Sequence, residues 1–326
     1  MRNNSRAPLC GGPDISIIIV NWNSAKLLDA CLSSIEGSLK RIDYETIVID
    51  NASNDDDILF LKGALEKKHR RTRFIYNPTN AGYAAANNIG LRKARGKYAL
   101  FLNPDTRFVE NGLEKALSIA ESPRVGAVGC KLLNEDGTTQ LSIFRFPTLG
   151  RIAVTSLLLH KLLPPKLRKR FAFAAEDCEA SQSPDWILGA FMIVPRDLME
   201  RLGGFDESIF MYGEDVDLCY RIKEQGLEIV HVPDFSVVHY GGSSGRQAWT
   251  SAQREARIYD AIFYFQRKHF GRFSLLAVKS LCALGSLLRI AIYALWAASP
   301  RARSRCLNEI RTQKAVLVRC LRRDLI

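Results

Sequence analysis

Carboxylate and amide side chains directly follow three apolar runs of the sequence. The run YALFL ends at Asn103-Pro104-Asp105. The runs ISIIIV and YETIVI end at Asn21 and Asp50. In open α/β sheets, ligands bind beyond the carboxyl ends of the strands, so these side chains are candidates for holding a metal ion and a phosphorylated ligand. A solvated turn is the competing interpretation of Asn-Pro-Asp taken alone, because these residues are common in turns.

Two further stretches carry side chains suited to acid–base or metal chemistry. Glu214 and Asp215 follow Gly213 and open a segment whose apolar residues recur at helical spacing. Acidic residues are also favoured at a helix N-terminus by the helix dipole, so capping alone explains the pair equally well. His239 ends an apolar run and precedes the loop GGSSGR, which suits closure over phosphates. Its alternative is a hydrogen-bonded histidine at a strand end.

The elements that position these residues follow from the pattern of the N-terminal third. Continuous apolar, β-branched runs bounded by turn residues are typical of strands buried on both faces. Four such runs lie at 14–20, 44–50, 73–77 and 98–102. Helical patterns separate them, and right-handed crossovers keep all the carboxyl ends at one edge of a parallel sheet. The sequence therefore predicts an α/β fold with a mostly parallel central sheet flanked by helices.

The known phosphate-binding loops do not account for this edge. The sequence has no G-x-G-x-x-G, and GLRKARGKY at 90–98 lacks the spacing and the Ser or Thr of a P-loop. A dinucleotide-binding or P-loop fold is therefore disfavoured.

The second half supplies further elements. DWILGAFMIVP at 185–195 is typical of a strand, with Trp186 near its start, and a short helix follows at 196–202. Two more strands are predicted at 227–231 and 235–240. The apolar stripe of 249–270 predicts a helix that packs on the preceding domain.

The charge of the chain points to an anionic partner. The 326 residues are 47% hydrophobic and 25% charged, which is typical of a globular protein, and the formal net charge is +12. Nucleic acid, anionic lipid and a phosphorylated substrate are all compatible with that charge. Much of it lies at 161–170 and in the tail from Arg301, next to apolar segments, which favours a membrane surface over nucleic acid.

The C-terminal region is apolar from 273 to 300 apart from Lys279 and Arg289. Arg289 near the middle disfavours a full membrane span and favours an interfacial or re-entrant helix; a buried hairpin is the alternative. The eight cysteines form no C-x-x-C pair, which is typical of reduced thiols, and the N-terminus lacks an apolar signal-peptide core. We therefore expect the protein to act in the cytoplasm, peripheral or monotopic at the inner face of the cell membrane.

Several short motifs, in their order and spacing, resemble the family 2 glycosyltransferases of GT-A fold, and most closely their bacterial rhamnosyltransferase-like branch. The motifs are VNWN, VIDNAS, NAGYAAANNIG, LFLNPD and FDESIFMYGEDVDLCYR. The resemblance covers 14–245. It implies an N-terminal tail at 1–13, a GT-A catalytic domain at 14–245 and a C-terminal helical, membrane-associating extension at 246–326.

The resemblance also implies roles for individual residues. Asp215 matches the catalytic base that removes a proton from the acceptor hydroxyl, and Glu214 orients the acceptor or the base. Asp105 takes the place of the last carboxylate of a D-x-D metal motif, with Asn103 in place of the first, and His239 completes the metal shell. The residues implied in nucleotide-sugar binding are Asn21, Asp50, Asn80, Gly82 and Asn103. Trp186 is the candidate acceptor-binding residue.

The function implied is that of an inverting, metal-dependent hexosyltransferase. It would move rhamnose or another hexose from a nucleotide-diphosphate donor to a saccharide or lipid-linked acceptor in cell-surface polysaccharide synthesis. Mg²⁺ or Mn²⁺ is the expected cofactor, because both favour oxygen ligands. The alternatives are a catalytically silent sugar-nucleotide-binding module at the membrane and, on charge alone, a nucleic-acid-binding protein; we expect no nucleic-acid partner.

Overall fold

The computed structural model describes residues 12–174, 178, 182–241, 250–299 and 302–322. The strands are β1 Ile15–Asn21, β2 Tyr44–Asp50, β3 Thr72–Tyr76, β4 Tyr98–Leu102, β5 Thr106–Phe108, β6 Val125–Leu133, β7 Thr139–Gln140, β8 Ile143–Phe144, β9 Trp186–Ile187, β10 Phe191–Pro195 and β11 Glu228–His239. The α-helices are α1 Ala25–Ser38, α2 Asp55–Phe60, α3 Glu66–Lys68, α4 Tyr83–Leu91, α5 Leu113–Ala120, α6 Leu149–Ser156, α7 Pro165–Phe171, α8 Arg196–Arg201, α9 Glu214–Glu224, α10 Ser251–Trp296 and α11 Arg303–Leu321. A π-helical turn, Leu61–Leu65, joins α2 to α3, and a 3₁₀ turn, Leu159–Leu162, precedes α7.

The central sheet has the strand order β3-β2-β1-β4-β10-β6-β11-β5, with β7 beside β6. The four strands predicted from the N-terminal third are all present and pair in parallel. The register sets Asn21 of β1 beside Asp50 of β2, so both lie at the same edge of the sheet. Strand β10 runs antiparallel to both β4 and β6, and β5 and β7 are also antiparallel to their neighbours. The sheet is therefore mixed.

Helices cover both faces of the sheet because the strands alternate between two apolar clusters. In β1, Ile17 and Ile19 pack with α1 and α5 on one face, whereas Ile18 packs with α4, α8 and α9 on the other. These isoleucines are fully buried. Burial of such a side chain contributes about 1.5–3 kcal/mol, which fixes the register of the strand and, with it, the position of Asn21.

The second half departs from the prediction in two places. The stretch 185–195 is not one strand: β9 pairs with β8 in a separate two-stranded sheet, and β10 enters the central sheet after a turn at Gly189. The two strands predicted at 227–231 and 235–240 are one strand, β11. Its register against β6 shifts between Val232 and Ser236, so Pro233 lies within a local irregularity that a long strand tolerates.

The C-terminal region consists of two helices packed together and against α6. Helix α10 is interrupted at Gly271, whose φ of 81° is left-handed, so the predicted helix at 249–270 and the apolar segment meet at a break. Their shared apolar cluster includes Ile152 of α6, Phe263 and Cys282 of α10 and Val316 of α11. The C-terminal helices thus form part of the folded body rather than a detached anchor.

The other face of the second half of α10 is apolar and exposed. Phe273, Leu295 and Trp296 are 90%, 77% and 63% exposed. Among the described residues, α10 is the one helix that contains a stretch long and apolar enough to cross a membrane, and 33% of that stretch is buried. Neither a wholly buried hairpin nor a helix detached from the domain matches this arrangement.

Several sequence predictions fall outside the described residues. They include most of the N-terminal tail, the loop after Gly241, the domain boundary at 245, and Arg301. The seven described cysteines are buried free thiols.

Candidate active site

A cavity of about 800 Å³ opens at the carboxyl edge of the parallel strands. Its walls contain residues that follow β1, β2 and β4, the N-terminus of α9, and side chains from α6 and α10. Asp105, Asp215, Glu214, His239, Asn103, Asn80 and Trp186 line it. The fold therefore brings residues from both halves of the sequence into one site.

The metal candidates lie together on one wall. The Asp105 Oδ1 atom is 3.4 Å from His239 Nε2, and both side chains are buried. Asn103 Nδ2 lies 3.3 Å from the same imidazole nitrogen, and Asn103 Oδ1 accepts a hydrogen bond of 3.0 Å from the Tyr83 hydroxyl. Tyr83 also donates to the Gly189 carbonyl at 3.0 Å, so it links the strand β4 edge to the turn before β10.

Gln140 fixes the orientation of the imidazole. Its Oε1 atom lies 2.6 Å from His239 Nδ1, and its amide donates to Asn134 Oδ1 and to the His239 carbonyl. Since an amide oxygen only accepts, Nδ1 carries a proton, and Nε2 is the nitrogen that faces Asp105 and that the neutral imidazole offers to a metal ion. This is the arrangement that orients metal-binding histidines in proteins.

The donor set on this wall fits a small divalent cation. Two adjacent ligands of an ion with bonds of about 2.1 Å are about 3 Å apart, close to the 3.4 Å between Asp105 Oδ1 and His239 Nε2. Among the described residues, no group of three or more His, Cys, Asp or Glu side chains forms a complete metal site. Mg²⁺ commonly takes one or two carboxylates and completes its shell with water and substrate phosphates, so the pair suffices when a diphosphate is bound.

The acidic pair lies across the cavity at the start of α9. Gly213 adopts a left-handed φ of 97°, and the turn that it makes brings Glu214 and Asp215 to the cavity wall. Asp215 Oδ2 accepts from the Gly189 amide at 3.1 Å and Oδ1 from the Val216 amide at 2.8 Å. Glu214 Oε2 is buried with no hydrogen-bond partner among the described residues.

The environment of the pair gives the two carboxyl groups different pKa values. Burial raises the pKa of both, and the negative charge of Asp215 raises the pKa of Glu214 further. Backbone N–H groups that bind the Asp215 carboxylate oppose the rise at that residue. Asp215 therefore ionises first and is the group placed to act as a base near neutral pH, while Glu214 retains its proton.

We expect Glu214→Gln to stabilise the protein above about pH 5. A carboxyl group with a raised pKa in the folded state holds a proton that the unfolded chain releases, so wild-type stability falls as pH rises between the unfolded and folded pKa values. A neutral amide removes that loss, worth on the order of 1 kcal/mol per pKa unit. Thermal unfolding of both proteins from pH 5 to 8.5 measures it. An unchanged or shrinking Tm difference with rising pH would contradict the raised pKa.

The predicted nucleotide-binding residues are brought together, but three of the five, Asn21, Asp50 and Gly82, are buried and lie outside the cavity lining. Asp50 Oδ1 accepts from Asn21 Nδ2 at 2.9 Å and from the Ser53 hydroxyl at 2.6 Å, and Ser53 N donates to Asp50 Oδ2. Asp50 is 1% exposed and Asn21 is fully buried. In this structure they hold the turn after β2, and Asn51 on that turn reaches the cavity.

Asn51 is a site residue that the sequence analysis missed. Its Nδ2 donates to Asn80 Oδ1 at 2.9 Å and to the Gly82 carbonyl at 3.2 Å, which joins the turn after β2 to the start of α4. Gly82 has a φ of 85°, and a Cβ there would lie 2.6 Å from the Phe210 carbonyl oxygen. Only glycine fits this approach. The signal available in the sequence was the position of Asn51 directly after Asp50.

Trp186, the predicted acceptor-binding residue, lines the cavity. Its ring stacks on Phe144 with centroids 4.2 Å apart, and its Nε1 donates to the Arg145 carbonyl at 3.2 Å. Both partners also line the cavity. A rigid aromatic face of this kind suits contact with a sugar ring or an apolar chain.

Comparison with protein-family models shows the sequence family of the chain. The model of glycosyl transferase family 2 matches residues 16–173, and the model of glycosyl transferase family group 2 matches residues 98–302, so that the second match alone covers more than half of the chain. The chain belongs to the family 2 glycosyltransferases. The resemblance inferred from the motifs is therefore confirmed.

Curated family 2 relatives include two rhamnosyltransferases. Rhamnosyltransferase WbbL of Escherichia coli is 31% identical over 74% of this chain and 88% of that protein. N-acetylglucosaminyl-diphospho-decaprenol L-rhamnosyltransferase of Mycobacterium tuberculosis is 28% identical over 71% of this chain and 78% of that protein. O-antigen biosynthesis protein RfbC of Myxococcus xanthus is 30% identical over 74% of this chain. The chain spans 18% of the length of RfbC and 28% of that of an uncharacterized protein of Sinorhizobium fredii.

Solved structures confirm the GT-A fold of this family 2 glycosyltransferase. The mannosyltransferase PcManGT of Pyrobaculum calidifontis, solved with GDP-Man and Mn²⁺, superposes with a TM-score of 0.58 over 96% of this chain and 88% of that one, at 19% identity. GalNAc-T7, solved with UDP, GalNAc and Mn²⁺, gives a TM-score of 0.54 over 79% and 51%, at 17% identity. At these identities the likeness concerns the fold alone.

Proposed function

We propose that this protein is an inverting glycosyltransferase. It transfers a hexose, with rhamnose as the first candidate, from a nucleotide-diphosphate donor to a saccharide or lipid-linked saccharide in cell-surface polysaccharide synthesis. The observation that carries the proposal is that Asp105 with His239 and, from a different part of the chain, Asp215 line one cavity. The activities for which the two rhamnosyltransferase relatives are named support the choice of sugar.

The proposed chemistry is a single displacement at the anomeric carbon. Asp215 accepts the proton of the acceptor hydroxyl as its oxygen bonds to that carbon, on the face opposite the leaving group. The bond to the donor phosphate breaks, and its electron pair leaves with the nucleoside diphosphate. Glu214 orients the acceptor or the base, and Trp186 provides an aromatic surface for the acceptor.

The donor is proposed to lie between the turn after β2 and the Asp105 wall. Asn80, Gly82 and Asn103 belong to this side, while Asn21 and Asp50 shape the turn from below. Asp105 and His239 would hold Mg²⁺ or Mn²⁺. A cation bound there offsets the negative charge that develops on the departing diphosphate.

Gln140 is the positioning residue in this proposal. We expect Gln140→Leu to weaken metal-dependent donor binding by about 10–100-fold, because the imidazole loses the acceptor that fixes its tautomer. Titration with Mn²⁺ at fixed donor measures the effect. Gln140→Glu, which keeps the acceptor, should restore most of the affinity. Equal loss in both variants would mean that Gln140 acts only through packing.

We propose that the protein works at the cytoplasmic face of the membrane. The exposed apolar face of α10 and the basic segment 161–170 support this, because apolar and cationic side chains together favour an anionic bilayer surface. Sedimentation with vesicles of anionic and neutral lipid tests it, and the absence of binding to both would contradict it.

Calorimetric binding of a panel of nucleotide sugars tests the function. The panel includes thymidine, uridine and guanosine diphosphate sugars, each with Mn²⁺, Mg²⁺ or chelator. We expect one donor to bind with metal dependence and to be consumed on addition of acceptor. Binding without any turnover would favour the silent module, and binding of no nucleotide sugar would overturn the proposal.

A further inference from the structure

One end of the cavity is lined mainly by apolar side chains. Beyond Trp186, the walls are formed by residues of α6, of α10 and of the segment after α7: Ile152, Phe173, Ile258, Tyr259, Ile262 and Phe265. We call this part the apolar half of the cavity. Hydroxyl groups of a saccharide placed there would lose their hydrogen bonds to water without replacement, at a cost of about 1–3 kcal/mol each. A hydrocarbon chain carries no such cost.

Two arginines stand on the wall of the same cavity. Arg289 donates to the Thr155 and Ser156 carbonyls, both at 2.9 Å, so two of its N–H groups hold the end of α6. Arg145 lies beside Phe144 and Trp186 on the cavity wall, with Nη1 3.6 Å from Asp185 Oδ1 and a side chain that is 42% exposed. A guanidinium at the edge of an apolar pocket suits a phosphate group.

One carboxyl group also faces this part of the cavity. Burial raises the pKa of Glu255, the nearby Glu309 adds to the rise, and Arg289 opposes it. Glu255 and Asp185 therefore offset part of the positive charge of the two arginines, and the Arg145 side chain is 42% exposed and thus accessible to a ligand.

The helix that walls the apolar half also carries the exposed apolar face. Helix α10 contributes Ile258 and Ile262 to the cavity before the break at Gly271, and Leu284, Leu287 and Leu295 to the surface after it. Lys166 and Arg170 of the adjoining α7 are exposed. A lipid bilayer is the environment that such an apolar face with flanking cations fits, so a membrane lipid would meet the protein at the element that forms the cavity wall.

We propose that the apolar half of the cavity is a binding subsite for the hydrocarbon chain of a lipid phosphate that carries the acceptor saccharide, and that Arg145 binds its phosphate. This inference rests on the glycosyl transfer proposed above and specifies the acceptor of that reaction. The chain end lies among the side chains of α6 and α10, and the saccharide extends past Trp186 toward Asp215.

Binding of farnesyl phosphate to the full chain, below its aggregation concentration, tests the subsite. Farnesol and inorganic phosphate serve as the two half-ligands. We expect farnesyl phosphate to bind more tightly than either, as measured by calorimetry. Arg145→Gln should lower the affinity for farnesyl phosphate about tenfold or more and leave that for farnesol unchanged. Arg267→Gln, at an exposed position on α10, should leave both unchanged.

Filling the cavity separates the subsite from adsorption on the helix surface. Ile262→Trp should weaken farnesyl phosphate binding about tenfold or more, whereas Arg267→Trp should not. Ile258→Trp, at the more exposed rim of the cavity, provides a second variant in case Ile262→Trp does not fold. No binding to the wild type, or equal binding to the wild type and the filled variants, would overturn the proposal.

Donor binding in the same proteins distinguishes the two proposals. If the wild type binds a nucleotide sugar but not farnesyl phosphate, the lipid subsite is wrong and the proposed transfer stands. If it binds no nucleotide sugar, the proposed transfer is wrong, and lipid binding is then judged by the filled variants alone.

Discussion

Asp215→Asn is expected to abolish sugar transfer while leaving nucleotide-sugar binding close to that of the wild type. A positioned general base contributes about 10²–10⁴-fold to rate. The amide is isosteric with the carboxylate, and its single oxygen can still accept from one of the two backbone amides, Gly189 or Val216. We therefore expect the fold and the donor side to persist with a lowered Tm. Initial rates at saturating donor, with donor affinity from calorimetry, measure the two effects separately.

Asp217→Asn is the matched control, because it removes a carboxylate from the same helix on a side that faces away from the cavity. Asp217 pairs with Arg221 of α9 and with Lys268 and His269 of α10. Its loss should lower the Tm but leave the rate per folded molecule near that of the wild type. Full transfer activity in Asp215→Asn would show that another group is the base.

The pH dependence of the wild-type rate adds an independent check on the base. Because the raised pKa of Asp215 keeps part of it protonated at mildly acidic pH, kcat/KM should rise with pH into the neutral range. Residual activity of Asp215→Asn should lack this rise. A wild-type rate that is flat down to about pH 4 would contradict the raised pKa.

The parallel half of the fold could be predicted from the sequence because strands that are buried on both faces appear as continuous apolar runs. Strands β1 and β4 are covered by helices on each side and contain continuous apolar runs, and a polar residue at the end of each run marks the carboxyl edge. The common direction of these strands then follows from the handedness of the crossovers. Asn21, Asp50 and Asp105 could therefore be assigned to one edge.

Strand direction in the second half left no such trace. Strand β10 is apolar and buried like β4 and β6 on either side of it. It nevertheless runs antiparallel to both. Local periodicity reports which faces are buried and not which way the chain runs. The turn at Gly189 that reverses this segment looked like an ordinary small-residue position within a strand.

The sequence indicated site residues only where they belong to a recognisable motif. It did not indicate the side chains that contact and orient them. Gln140 contacts His239 across 99 residues, and Tyr83 reaches Gly189 across 106. No spacing rule connects such positions, and Gln140 lies in a two-residue strand with no pattern of its own. The side chains named by the motifs were thus found, whereas those that orient them required the tertiary structure.

Asp105→Asn is expected to remove the metal dependence of donor binding. Wild-type affinity for the nucleotide sugar should fall by about 100-fold or more when chelator replaces Mn²⁺, since neutral imidazole and amide groups hold a divalent ion poorly without a carboxylate. The variant should bind the donor with the same low affinity in Mn²⁺ and in chelator. Calorimetry under both conditions measures it, with Asp234→Asn, a substitution of an exposed aspartate that pairs with Lys115, as the control.

Comparing Asp105→Asn with Asp215→Asn tests whether the site performs the proposed displacement reaction. Asp105 follows β4 and Asp215 lies on α9, and both line the same cavity. Loss of Asp105 should therefore weaken donor binding, whereas loss of Asp215 should lower the rate of the bound complex. Retention of full metal dependence in Asp105→Asn would remove the metal from this wall. Equal loss of donor binding in both variants would mean that the two carboxylates serve one binding function, and the proposed division between leaving-group side and acceptor side would be wrong.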